Sequence, residues 1–131
     1  MVWAAPRAAD LPVFYTTSRD GGATWTAPRA LNPGKTGYAP WVAGGARGQA
    51  RVVWLGSPQP GNQPMTWYFY VAKVDAGRVR VGTTTRTPIW DRAQGPPEFE
   101  MVRLDRRGRM HIGMSVAATD GRWAVYYQRE S

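Results

Sequence analysis

Ser18-Arg19-Asp20-Gly21-Gly22-Ala23-Thr24-Trp25 lies between two strand-like runs, Val13 to Thr17 and Thr26 to Leu31. Glycine tolerates positive φ, and an aspartate side chain accepts hydrogen bonds from backbone N–H groups a little further along. Asp20-Gly21-Gly22 therefore favours a tight reversal. The stretch predicts a hairpin turn, with Trp25 returning to pack on the turn before it.

Working outward, the same grammar continues. Met1 to Ala5 reads as a short apolar strand, and Pro6 to Pro12 as a loop. Asn32 to Gly37, rich in Pro and Gly, breaks the chain again. Apolar runs at Tyr38 to Gly44 and Ala50 to Leu55 predict buried strands around the turn Gly45 to Gly48. Ser57 to Pro64 is a loop, and Trp67 to Val74 is strongly β-prone. Asp75-Ala76-Gly77 turns the chain into Arg78 to Thr85, where Val79 and Val81 alternate with Arg78 and Arg80. That alternation marks a strand with one wet face. Pro88 to Pro97 reads as a long loop. Strands follow at Phe99 to Leu104, Met110 to Val116 and Trp123 to Gln128.

Composition supports many short strands joined by turns. The 131 residues suffice for about one domain, punctuated by 15 Gly and 11 Pro. No long stretch has the helical spacing of apolar residues. The absence of Cys excludes a disulfide framework and a thiolate metal site, and the lone His111 excludes a His cluster. No metal and no cofactor is expected. No apolar run approaches the ~18 residues of a membrane-spanning helix, and no membrane partner is expected. The N-terminus lacks a basic stretch followed by an apolar one, so no secretory signal is read in it. The formal charge of +8 rests almost wholly on arginine. The charge admits an anionic partner (nucleic acid, an acidic glycan or sialic acid), or else a solvated arginine-rich surface, since only Arg103, Arg106, Arg107 and Arg109 cluster. Nucleic acid is disfavoured, because the basic run Arg103 to Arg109 has no aromatics interleaved with it.

The spacing Ser18-x-Asp20-x-Gly22-x-Thr24-Trp25 resembles the Asp-box, the bacterial neuraminidase repeat of sialidase-like β-propellers. Related segments recur. Phe14 to Gly22 lies over Phe69 to Gly77, where the Asp and Gly persist and the Ser, Thr and Trp do not. Trp41-Val42, Arg47-Gly48 and Val52-Val53 lie over Met101-Val102, Arg107-Gly108 and Ile112-Gly113. The resemblance implies an all-β fold of antiparallel four-stranded blades, incomplete in this chain at about two and a half. Residues 1–33 would supply the last three strands of a first blade, 38–86 a complete blade, and 98–131 three strands of another. A closed propeller needs about four to eight blades. The blades would thus belong to a longer polypeptide, or several copies would associate into a ring.

The resemblance also implies a function. The parent would be an exo-sialidase-like glycoside hydrolase or a non-catalytic relative. The alternatives are a glycan- or protein-binding scaffold and a self-assembling module. In that family the box is a structural turn (Ser18, Asp20, Gly22, Thr24 and Trp25) on the face opposite the ligand. The ligand face would carry 32–38, 57–64, 86–98 and 119–122. There Tyr38 is the candidate nucleophile, and Asp91 and Glu98 the candidate carboxylates. Arg86 and Arg92 are candidates to pair with a substrate carboxylate, for which the planar guanidinium fork is suited. Trp90 could stack on a sugar ring. Family relatives imply a secreted or extracellular location. Trp3, Trp41, Trp54, Trp67 and Tyr70 are the expected core between blades.

Overall fold

The computed structural model describes residues 1–5, 11–59, 66–75, 77–83, 90–91, 98–117 and 122–130. The fold is all-β, with one turn of 3-10 helix at Ala46–Gly48. Three antiparallel sheets follow one another along the chain. The N-terminal sheet holds β1 (Val2–Ala4), β2 (Val13–Tyr15) and β3 (Arg29–Ala30) in sequence order. The central sheet runs β4 (Thr36–Gly44), β5 (Ala50–Ser57), β6 (Thr66–Asp75) and β7 (Arg78–Thr83). A two-residue strand, β8 (Trp90–Asp91), also pairs with β6 through Thr66 and Trp67. The C-terminal sheet holds β9 (Glu98–Leu104), β10 (Met110–Ala117) and β11 (Trp123–Arg129).

Period-2 side-chain alternation gives the central sheet two apolar faces. Val52, Trp54 and Ala72 meet Val13 and Tyr15 of the N-terminal sheet. Val53, Leu55, Phe69 and Val71 meet Val102, Met110 and Ile112 of the C-terminal sheet. The three sheets therefore stack, with the central one covered on both sides. This explains why β5 reads as a continuous apolar run rather than an alternating one.

Some expectations shift. The strand expected over Thr26 to Leu31 shrinks to Arg29–Ala30, because the side chains of Thr16, Thr17 and Thr26 bond across the pair in place of a regular ladder. β4 begins at Thr36, inside the expected loop, and β8 falls inside the loop expected over Pro88 to Pro97. Of the expected core aromatics, Trp54 and Trp67 are buried, while Trp3 and Tyr70 are half-buried. Trp41 is 41% exposed. It lies at a register shift in β4, an edge strand of its sheet, where a bulge re-aims side chains.

Because successive strands are antiparallel, their connections alternate between two ends of the stack. The turn end carries the β2–β3, β4–β5, β6–β7 and β9–β10 connections. The other, loop end carries the described β3–β4 connection. Asn32 closes the β3–β4 loop from within: its Oδ1 accepts from the Val13 N–H at 2.6 Å, and its Nδ2 donates to the Lys35 carbonyl at 3.1 Å.

Candidate functional site

At the loop end, β4 presents Tyr38. The residue is 57% exposed, and its cross-strand partner is Leu55. The next residue, Ala39, has φ of 47°, and the register slips between Tyr38 and Trp41. A non-glycine residue in this left-handed region costs about 1–2 kcal/mol. Such strain at a bulge on an edge strand is a feature that functional sites share. Among the described residues the Tyr38 hydroxyl has no hydrogen-bond partner.

Of the loop-face candidates, Tyr38 is the one whose side chain the structure describes. Arg86 and Arg92 lie outside the described residues, as do most of 57–64, 86–98 and 119–122. Trp90 and Asp91 are placed by their backbone in β8, paired to Trp67 and Thr66, and Glu98 opens β9 opposite Ser115. Their side chains are outside the description.

At the turn end, the Ser18–Trp25 stretch forms a closed network. Asp20 Oδ1 accepts from the Ser18 hydroxyl at 2.8 Å and the Thr24 N–H at 2.9 Å, and Oδ2 accepts from the Thr24 hydroxyl at 2.5 Å. Ser18 Oγ accepts from the Gly22 N–H at 2.7 Å. Trp25 Nε1 donates to the Gly22 carbonyl at 2.9 Å. Gly21 and Gly22 take φ of 71° and 99°, as the reversal demands. Donation from Thr24, first by its hydroxyl and then by its N–H, with Ser18 adding a third bond, pulls the Asp20 carboxyl down to about 2. It is held as an anion with its lone pairs occupied, which suits a turn.

A second array was missed in the sequence. Asp105, in the β9–β10 turn, approaches His111 Nε2 at 3.4 Å, and His111 Nδ1 meets the Tyr127 hydroxyl at 2.6 Å. The three lie 6 and 16 residues apart; the β9–β10 hairpin brings Asp105 to His111, and the β10–β11 register brings Tyr127. The Arg109 N–H foremost, against an opposing effect of burial, and then the Arg109 side chain, His111 and the Arg107 N–H, hold the Asp105 carboxyl far below the usual carboxylate range. The chain carboxylate–imidazole–phenol orients the ring. The only sequence signal for it was a lone His two residues before a Gly in a strand opposite two tyrosines.

Among the described residues no cluster of His, Asp or Glu could hold a metal ion, and no helix is long and apolar enough to cross a membrane. Compared with models of protein families, with curated proteins and with solved structures, the chain finds no match.

Proposed function

We propose that the three sheets are consecutive blades of a sialidase-like Asp-box β-propeller, and that the protein recognises saccharide at the loop end. The observation that carries this reading is the hydrogen-bond network of Ser18, Asp20, Gly22, Thr24 and Trp25, set between the last two strands of a sheet that stacks on the next. Tyr38 supports it: exposed, beside a strained bulge, on the first strand of the central sheet. In this reading Tyr38 is the group nearest the sugar, and the parent is an exo-sialidase-like glycoside hydrolase or a non-catalytic relative.

The ends of the stack add to the picture. Trp3 and Phe14 stack at 5.6 Å on the side of their sheet away from the central one, and Val125 and Tyr127 stand exposed on the far side of β11. Further blades, or a second copy, would cover these faces in a closed ring.

The test uses the protein itself, with its native mass measured by light scattering. Turnover of a fluorogenic sialoside that falls at least about a hundredfold in Tyr38→Phe is the expected result for a hydrolase. Saccharide binding without turnover assigns the non-catalytic relative. If neither binding nor turnover occurs with any sialylated or acidic glycan, the saccharide reading fails.

A further inference from the structure

Between the N-terminal and central sheets, at the turn end, lies a cleft of about 500 Å³. One wall is the base of the Ser18–Trp25 hairpin together with β3, and the other is the β4–β5 and β6–β7 turns. Arg29 stands directly opposite Tyr15 in the β2–β3 register, and Tyr15 faces the central sheet. Arg29 is thereby carried toward the cleft. Arg19 enters from the hairpin turn itself. Both arginines are exposed, and neither makes an ion pair among the described residues.

The rest of the lining is suited to the same end. Thr17 and Thr26 line the wall that bears the arginines, their hydroxyls 3.4 Å apart. Gly48 and Gly77 form part of the other wall, with φ of 72° and 84°, and a Cβ on either would meet nothing within 4 Å. The nearby carboxylates among the described residues are already engaged. Asp20 spends its oxygens inside its own turn. Asp75 is held by Arg51 at 3.0 Å and faces Arg80 at 3.7 Å. Among the described residues, two guanidinium groups without a carboxylate partner thus border one concave surface. Arginine forks bind oxyanions with two parallel hydrogen bonds.

We propose that this cleft is a binding site for a small organic oxyanion, one carrying a carboxylate, sulfate or phosphate group. Arg19 and Arg29 clamp its oxygens, and the hydroxyls of Thr17 and Thr26 donate to it. The cleft falls within the roughly 300–1,000 Å³ of small-molecule sites, which favours an anionic group attached to a body over a bare ion. The site stands at the end of the stack opposite Tyr38 and does not rest on the saccharide reading above.

The probes are inorganic sulfate, inorganic phosphate and a sulfated disaccharide, titrated into the protein while the backbone amides of Thr17, Thr26 and Gly77 are followed by NMR. We expect saturable shifts at these amides with at least one probe. Binding should weaken about tenfold or more in Arg19→Gln/Arg29→Gln, the scale of a lost charge-assisted contact. It should stay within about twofold in Arg107→Gln/Arg129→Gln, which removes the same charge from exposed positions elsewhere. Saturation by the ions alone assigns the clamp to the oxyanion, and saturation only by the disaccharide adds the attached body. No saturable shift with any probe overturns the proposal, as does equal weakening in the two double variants.

Discussion

Asp20 shows what one side chain does here. Its two oxygens accept three hydrogen bonds from Ser18 and Thr24, so one carboxylate holds both sides of the hairpin turn. Its carboxyl titrates at about 2 in the folded chain, against about 4 in an unfolded one. A depressed carboxyl contributes stability in full above the unfolded value, and that contribution is lost as pH falls through the folded value. Asp20→Asn should therefore lower the urea midpoint at pH 7, and the gap from wild type should narrow as pH falls from about 4 toward 2. An equal gap at pH 7 and at the acid end of that range would contradict this account. Much of this turn was legible in the sequence, because every partner lies within a few residues. The Asp105–His111–Tyr127 array was not, because its members meet only through strand register.

At the scale of elements, β4 and β5 meet the N-terminal sheet through a pair of cross-strand glycines, Gly37 and Gly56. A Cβ on Gly37 would stand 2.6 Å from Val13 Cγ2 and 2.7 Å from Asn32 Nδ2. One on Gly56 would stand 2.5 Å from Tyr70 Cδ2, displacing the ring stacked on Trp54 at 5.6 Å. These glycines are required by close approach rather than by φ. Gly37→Ala should cost about 1–3 kcal/mol, the usual range for overpacking a filled core. Gly82→Ala, where a Cβ would meet nothing within 4 Å, should stay within about 0.5 kcal/mol. Chemical denaturation of the two variants side by side decides it, and equal effects would mean that the Gly37 contact relaxes freely. In the sequence Gly37 reads as part of a loop, with no packing role. Its importance depends on Val13 and Trp54, which arrive from other strands.

At the scale of the whole molecule, the C-terminal sheet is tied to the central one by apolar packing and by Glu130. This carboxylate pairs with Lys73 of β6, approaches Arg51 Nε of β5 at 3.5 Å, and accepts from the Met110 N–H at 3.1 Å. Burial pushes its carboxyl up, but the hydrogen bonds from Lys73 and the Met110 N–H, with the charges of Lys73 and Arg51, outweigh that and leave it lowered. Its contribution is thus complete above the ordinary carboxylate range and fades as pH falls below it. Glu130→Gln should cost about 1–2 kcal/mol, less than a fully buried pair because Lys73 is partly solvated. It should also speed amide exchange in β9–β11 more than in β5 and β6. Uniform acceleration across all three sheets would mean that Glu130 does not act as a local tie. By itself the sequence determined the all-β class, most strand positions and the hairpin at Asp20, since turn chemistry and side-chain alternation act between near neighbours. Only the tertiary structure decided the short β3, the exposure of Trp41, the Asp105–His111–Tyr127 array and the cleft at Arg19 and Arg29. Each depends on register or stacking between strands far apart in the chain, which local residue patterns do not encode.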